Sequence, residues 1–156
     1  MRHTISATVE NKPGVLARIA GLFSARGYNI ASLAVSETLD PTISYITMVV
    51  EAEDERVLEQ IKKQLNKLID IVTVTDFTKK EHVERELVLI KLSCPVKEKE
   101  KIELLLGRYM AKIVQHKSDV AIIEAAGEQE NIKQLLADLA KFGIKELIRT
   151  GKIAIA

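Results

Sequence analysis

The stretch TISATVENKPGVLARIAGLFSARG, residues 4–27, decides the fold of the first half of this chain. In residues 4–10 apolar and polar side chains alternate, which predicts a half-buried β-strand. Apolar side chains then recur at helical spacing as far as Gly27, which suits a helix end because glycine tolerates a positive φ. A strand therefore runs directly into a helix through the short turn of residues 11–14.

The next segments complete a small domain. Residues 29–37 and 43–51 are predicted strands of a hairpin, because an Asp-Pro pair lies between them and β-branched residues fill the second. A helical stripe follows over residues 53–67, and residues 71–77 form a fourth strand. The order β-α-β-β-α-β is that of a ferredoxin-like domain, an antiparallel sheet with helices on one face.

The second half of the chain has the same predicted order of elements. The predicted strands are residues 86–93, 112–116, 120–126 and 145 onward, and the predicted helices are residues 97–109 and 129–141. The charged segment of residues 79–85 interrupts the apolar pattern and is typical of a linker. We therefore predict an α+β chain of two consecutive ferredoxin-like domains, residues 1–78 and 86–156, joined by the linker 79–85.

Composition excludes several classes of function. Among 156 residues, 23 basic and 22 acidic side chains leave a net charge of +1, so nucleic acid is not an expected partner. The single cysteine, Cys94, has no partner for a disulfide, and the first residues lack the apolar run of a secretory signal. No apolar segment approaches the roughly 20 residues that cross a bilayer. We expect a cytoplasmic protein that does not enter a membrane.

No pattern of catalytic or metal-binding residues is present. The chain has no Gly-x-Gly-x-x-Gly, no phosphate-binding Gly-Lys-Ser/Thr loop, no paired cysteines and no His-Glu-x-x-His. The residue pattern therefore predicts neither a catalytic residue nor a metal site.

The turn of residues 11–14 is the candidate binding site. The first N–H groups of a helix lack partners within the helix and carry partial positive charge, so a carboxylate is a natural ligand. Gly14 allows a ligand to approach the backbone, the side-chain oxygen of Asn11 can accept a hydrogen bond from an ammonium group, and Asn29 is a second candidate polar anchor. Apolar Ile30 follows Asn29. The pattern alone is equally compatible with an ordinary helix-entry turn.

Three segments resemble the small regulatory subunits of acetohydroxyacid synthase, also called acetolactate synthase. They are ENKPGVLARIAGLFSARGYNIASL (residues 10–33), VLEQIKKQLNKLIDIVTVTD (residues 57–76) and HVEREL (residues 82–87). The resemblance implies that the first domain is an ACT domain and that the chain has no active site. It also implies a catalytic large subunit, which carries thiamine diphosphate, magnesium and FAD, whereas this chain carries no cofactor.

The same resemblance implies a role and a site. Small subunits of this family raise the activity of the large subunit and mediate feedback inhibition by branched-chain amino acids, usually valine. Their ACT domains pair side by side as a homodimer, with the effector between two chains. Asn11, Gly14 and Val15 would come from one chain, and Asn29 and Ile30 from its neighbour. The amides of Gly14 and Val15 would hold the effector carboxylate.

A feedback-sensing regulatory subunit in branched-chain amino acid biosynthesis is thus the leading hypothesis. Two others stay open: an activator that supports the catalytic subunit without sensing an effector, and a small enzyme built on two ferredoxin-like domains. The preferred branched-chain effector and the stoichiometry with the catalytic subunit are not predicted.

Overall fold

A computed structural model describes residues 1–156 and divides the chain into two units. The first unit comprises Met1–Val83 together with Lys152–Ala156, and the second comprises Glu84–Gly151. The chain therefore leaves the first unit, builds the second, and returns to the first with its last residues. No helix in either unit is both long enough and apolar enough to cross a bilayer.

The first unit has the predicted order of strands and helices. Its elements are β1 (Arg2–Glu10), α1 (Val15–Ala25), β2 (Ile30–Glu37), β3 (Ile43–Glu51), α2 (Glu55–Leu65) and β4 (Ile71–Asp76). The sheet has the strand order β2-β3-β1-β4, and each pair of neighbours is antiparallel. The ferredoxin-like topology is confirmed, and β2 and β4 are the edge strands.

The core of this unit lies on one face of its sheet. Alternate residues of β1, namely Ile5, Ala7 and Val9, are at most 2% exposed and pack with Ile19 and Phe23 of α1. The same cluster contains three residues of α2: Leu58, Ile61 and Leu65. Because side chains of a strand alternate between the two faces, both helices must cover the same face.

Helix α2 has a strong start signal that explains its boundary. The Asp54 carboxylate accepts hydrogen bonds from the N–H groups of Arg56 and Val57, both at 2.9 Å. Such a cap satisfies amides that lack partners within the helix and contributes about 1 kcal/mol. The helix therefore begins at Glu55, inside the range predicted from the apolar stripe.

The second unit repeats the topology of the first. Its elements are β5 (Val83–Ser93), α3 (Lys99–Gly107), β6 (Lys112–Lys117), β7 (Val120–Gly127), α4 (Gln129–Leu139) and β8 (Ile144–Arg149), with short 3₁₀ turns at Val96–Glu98 and Ala140–Phe142. The antiparallel strand order is β6-β7-β5-β8. Val88, Ile90 and Leu92 of β5 share a buried cluster with Ile102 of α3 and Leu135 of α4.

Two boundaries differ from the sequence pattern. Strand β5 begins at Val83, within the segment expected as a linker. The strand expected from residue 145 onward is two strands, β8 and β9 (Ile153–Ile155), separated at Gly151, where φ is +86°. An alternation of apolar residues can predict such strands but cannot tell which sheet face they cover.

Strand β9 is grouped with the first unit. The Tyr45 hydroxyl on β3 donates to the Ala154 carbonyl oxygen at 3.1 Å, and the Lys152 N–H donates to Ser32 Oγ on β2 at 3.1 Å. Ala154 is 5% exposed. The side chains of Tyr45 and Ser32 point away from the core face of the sheet. The last residues of the chain therefore lie on the sheet face opposite α1 and α2.

Candidate functional site

The turn between β1 and α1 depends on the conformation of Gly14. This residue has φ 86° and ψ −11°, a left-handed conformation that side chains with a Cβ rarely adopt. A Cβ at Gly14 would lie 3.2 Å from Nη1 of Arg18. The backbone conformation therefore favours glycine at this position, and a Cβ would also require the Arg18 side chain to shift.

Several amide groups of this turn are available to a ligand. The N–H groups of Gly14, Leu16 and Ala17 donate to no acceptor within the protein, whereas that of Arg18 donates to the Gly14 carbonyl at 2.9 Å. The Val15 N–H makes a long hydrogen bond of 3.3 Å to the Lys12 carbonyl. The turn thus has unsatisfied donors at a helix start, and carboxylate binding there stays a prediction.

Helix α1 differs from the other α-helices at its first turn. Like α3 and α4 it has no side-chain cap, but it also has no acidic residue there, whereas the first turns of the others contain Glu55 in α2, Glu100 in α3 and Glu130 in α4. Acidic side chains near a helix start neutralise its partial positive charge. No acidic side chain in the first turn of α1 neutralises that charge, and this difference can be read from the sequence.

Charged side chains surround the turn. Arg18 donates from Nε at 2.8 Å and from Nη2 at 2.7 Å to one carboxylate oxygen of Asp70. The Asp70 side chain is 10% exposed, and its carbonyl accepts from the Glu10 N–H at 2.9 Å. A hydrogen bond from Lys12 to Glu10, 2.6 Å long, raises the pKa of Lys12, so its charge stays beside the turn.

The Arg18–Asp70 pair was missed in the sequence. Its signal would have been Asp70 itself, a single acid within the apolar segment Leu68-Ile69-Asp70-Ile71, because buried acids are usually paired. The partner could not be identified from the sequence, since 52 positions separate the two residues.

Asn11 is held at the opposite side of the turn. Its backbone N–H donates to the Thr42 carbonyl at 2.7 Å. Its side-chain Nδ2 donates to the Pro41 carbonyl at 2.8 Å and to the Glu37 carboxylate at 3.3 Å. The Asn11 side chain therefore lies at the end of β2 that contains Glu37.

Asn29 lies at the other end of the same strand, immediately before Ile30. Its Nδ2 donates to Oε2 of Glu51 at 3.0 Å, and Arg2 Nε donates to the other oxygen of Glu51 at 3.3 Å. The hydrogen bond from Asn29, followed by that from Arg2, lowers the pKa of Glu51. These side chains line an open cleft of about 380 Å³ that also contacts Glu53. Ile30 is half-buried against the core.

The two groups of predicted site residues do not meet within one chain. Along β2, Ile30 pairs with Val50 at one end and Glu37 with Ser44 at the other. A strand of 8 residues spans roughly 25 Å. One free amino acid cannot bridge that distance, so Asn11 and Asn29 of one chain cannot contact the same ligand.

Strand β2 has an unpaired edge. It pairs only with β3, so the outward-facing N–H and C=O groups have no partner strand. Leu33 and Val35 of β2 are 37% and 43% exposed, and Leu16 of α1 is 42% exposed. Leu33 and Val35 lie on the helix-covered face, because they pair with the buried residues Met48 and Ile46. An open strand edge bordered by apolar side chains suits a second strand as a partner.

Comparison with known protein families covers nearly the whole chain. Residues 5–73 match a family model described as an AHAS small subunit-like ACT domain, and residues 85–156 match one described as the small subunit of acetolactate synthase. The chain belongs to the acetolactate synthase small subunit family. The resemblance of residues 10–33, 57–76 and 82–87 is thereby confirmed.

Individual members of the acetolactate synthase small subunit family match this chain over more than nine-tenths of their length. A probable acetolactate synthase small subunit of Archaeoglobus fulgidus is 46% identical over 155 residues, covering 99% of this chain and 96% of the relative. The acetolactate synthase small subunit of Bacillus subtilis is 42% identical over 156 residues, covering 100% of this chain and 91% of the relative. Family membership together with the ACT domain supports a regulatory role.

A solved structure of this family has the same fold. The crystal structure of the acetolactate synthase small subunit from Thermotoga maritima superimposes with a TM-score of 0.88 at 35% identity. The match covers 99% of this chain and 96% of that chain. The prediction of two ferredoxin-like domains, the first an ACT domain, is confirmed.

Proposed function

We propose that this chain is the non-catalytic regulatory subunit of an acetolactate synthase and that it mediates feedback inhibition by a branched-chain amino acid, with valine as the first candidate. The observation that carries the proposal is the placement of two polar anchors, Asn11 and Asn29, at opposite ends of an unpaired edge strand. Neither anchor alone offers a complete amino-acid site.

A twofold axis across β2 accounts for this placement. When two identical edge strands pair antiparallel, the start of each strand lies beside the end of the other. Asn29 and Ile30 of one copy would then lie beside the turn of residues 11–14 of its partner, and the reverse. Two equivalent sites would form, and the apolar residues Leu33 and Val35 would be covered by the partner copy.

Each part of an amino acid has a counterpart in such a shared site. The unsatisfied amide of Gly14, with that of Val15 after a small rearrangement, would bind the carboxylate. The side-chain oxygens of Asn11 and Asn29 would accept from the ammonium group, and Ile30 would contact the aliphatic side chain. Since one ligand contacts two chains, its binding can change how the chains are arranged.

The regulated chemistry belongs to a partner. In this proposal the catalytic large subunit carries thiamine diphosphate, magnesium and FAD, and the present chain carries no cofactor. The regulatory chain raises the activity of its partner and lowers it again when the effector is bound. A coupling free energy of about 1–3 kcal/mol between the two binding events suffices for such control.

Calorimetric titration of the chain with valine, leucine and isoleucine, alone and with the large subunit, tests the effector. At least one of the three should bind and should inhibit the reconstituted enzyme. Absence of binding to all three in both preparations would reject effector sensing and favour an activator without a sensor. Turnover of pyruvate by this chain alone would instead support a small enzyme.

The shared site is tested at the strand edge. Val35→Lys places a charge on the β2 edge and should both dissociate the dimer and abolish effector binding. Val72→Lys is the matched control, since Val72 is 57% exposed on β4, at the other edge of the same sheet. A monomeric Val35→Lys variant that still binds the effector would contradict a site built from two copies.

A further inference from the structure

Both asparagine anchors present the same side of their amide group to the protein. Nδ2 of Asn11 faces the Pro41 carbonyl and the Glu37 carboxylate, and Nδ2 of Asn29 faces the Glu51 carboxylate. Carbonyl and carboxylate oxygens can only accept hydrogen bonds, so an amide nitrogen, never an amide oxygen, must face them. The chemistry of the neighbours therefore determines the orientation of both amides.

The opposite side of each amide is left for a ligand. Oδ1 of Asn11 and Oδ1 of Asn29 accept no hydrogen bond from any group of the protein. Because the Nδ2 donors of Asn11 and Asn29 are used within the protein, each of the two side chains offers an external ligand only a hydrogen-bond acceptor. An ammonium group can satisfy two such acceptors, whereas a carbonyl oxygen can satisfy neither.

We propose that Glu51 and Glu37 are positioning residues, which turn the amides of Asn29 and Asn11 so that the shared site selects an amino acid over the 2-oxo acid with the same side chain. This inference rests on the proposed function, and it adds the residues that set the chemical class of the effector. It predicts that the site ignores 2-oxo acids even when their aliphatic part fits.

Glu51 has the larger role because a second residue, Arg2, also donates a hydrogen bond to its carboxylate. One of its oxygens accepts from Asn29 and the other accepts from Arg2. The guanidinium group of Arg2 can only donate hydrogen bonds, so it pairs with an oxygen of residue 51 and not with an N–H group. The lowered pKa of Glu51, caused first by Asn29 and then by Arg2, keeps this bridge ionised at neutral pH.

Glu37 has the smaller role. Its hydrogen bond from Asn11 is 3.3 Å long, whereas the Pro41 carbonyl accepts from the same nitrogen at 2.8 Å. The Pro41 carbonyl alone can keep the Asn11 amide in its orientation. Removal of the Glu37 carboxylate should therefore affect effector selection less than removal of the Glu51 carboxylate.

The decisive variant is Glu51→Gln. A glutamine has one oxygen, and Arg2 will take it, so the new amide nitrogen faces Asn29 and forces its oxygen to turn inward. We expect amino-acid affinity to fall by about tenfold, the effect of one hydrogen-bonded contact to a charged group. The ratio of amino-acid to 2-oxo-acid affinity should narrow by a similar factor. Both affinities are measured calorimetrically on the intact chain.

Glu53→Gln controls for the loss of negative charge. Glu53 lines the same cleft, is exposed, and makes no hydrogen bond or ion pair within the protein. It should retain the affinities and the ratio of the wild type. If Glu51→Gln folds poorly, Glu51→Ala replaces it. Alanine neither holds the Asn29 amide in its orientation nor turns it around, so the ratio of amino-acid to 2-oxo-acid affinity should narrow to a smaller extent.

The double variant Arg2→Ala/Glu51→Gln separates orientation from charge. Without Arg2, the glutamine can turn its oxygen toward Asn29 and restore the amide orientation, so selectivity should recover although the negative charge is still missing. A double variant as unselective as Glu51→Gln would overturn the positioning role.

Two outcomes distinguish this inference from the proposed function on which it rests. If the wild type binds an amino acid and Glu51→Gln keeps the wild-type ratio, the positioning role is wrong and effector sensing stands. If the wild type binds none of the branched-chain amino acids, both are wrong.

Discussion

The two units of this chain share one topology but connect their first strand to their first helix differently. In the first unit Gly14 adopts a left-handed conformation and leaves amides of the turn without acceptors. In the second unit Pro95 has no N–H group, and the Glu98 N–H of the 3₁₀ turn Val96–Glu98 donates to the Pro95 carbonyl at 2.9 Å. The Cys94 N–H donates to Asp119 at 2.8 Å.

This difference shows that the fold does not make the site. Both units have the same strand order and a buried core of similar composition, yet only the first connection has a left-handed glycine at the helix start and no acidic residue in the first helical turn. Burial raises the pKa of the Cys94 thiol in the second unit, so the corresponding position there favours packing over chemistry. Function belongs to local sites that a common fold supports.

The largest expected effect concerns Gly14. Gly14→Asp should lower the affinity for the effector by roughly 100-fold or more. The substitution adds a negative charge at the proposed carboxylate site, places a side chain at a positive φ and crowds Arg18. Gly21→Asp is the matched control, since a Cβ at Gly21 of the same helix contacts nothing within 4 Å. Calorimetry should show that the Gly21→Asp variant still binds the effector. If the Gly14→Asp variant also binds it, the turn is not part of the effector site.

Each unit contains one partly buried ion pair between an arginine and a carboxylate, and substitutions can compare the two pairs. Asp70→Asn breaks the pair with Arg18, and Glu86→Gln breaks the pair of Glu86 with Arg149 in the second unit. Because both arginines are about half exposed to solvent, we expect each change to lower the free energy of unfolding by about 1–2 kcal/mol. Denaturant titration measures this loss.

The same two variants should differ in effector affinity. The Asp70 carboxylate supports the turn through Arg18, so Asp70→Asn should weaken effector binding several-fold, whereas Glu86→Gln should not. Equal losses of affinity in both variants would indicate a general effect of stability and would remove the distinction between the units.

A smaller effect concerns the last residues of the chain. Tyr45→Phe removes the hydrogen bond to the Ala154 carbonyl and should cost about 0.5–1.5 kcal/mol. Tyr28→Phe is the control, because the Tyr28 ring packs edge-on against Phe23 and its hydroxyl makes no hydrogen bond. Equal stability of the two variants in thermal unfolding would show that the last strand contributes nothing through this contact.

The smallest effect is a pH dependence. Burial raises the pKa of Asp76, but hydrogen bonds from Thr78 and Lys62 outweigh it, so the folded-state pKa lies below the ordinary value of 3.8. A lowered pKa stabilises the fold above pH 3.8, and this contribution is lost as the pH falls through the folded-state value. The stability difference between wild type and Asp76→Asn should be constant from pH 5 to 8 and should shrink below pH 3.8. A difference that is largest in acid would contradict the assignment.

Most of the first unit could be predicted because its signals are local. Alternation in residues 4–10, helical spacing before Gly27 and the acidic start of α2 each depend on residues close in sequence. The sheet face that β9 covers could not be predicted, because Ile153–Ile155 alternates like any strand and only tertiary contacts assign it to a sheet face.

By itself the sequence determined the order of elements, the glycine in the turn between β1 and α1 and the family, since these depend on neighbouring residues or on whole segments. Only the tertiary structure decided which distant side chains meet. The pairs Arg18–Asp70 and Asn29–Glu51 form because the fold brings remote positions together: α1 lies beside the residue before β4, and the residue before β2 lies beside the end of β3. It also placed Asn11 and Asn29 at opposite ends of β2, a separation set by strand length that residue spacing along the chain does not reveal.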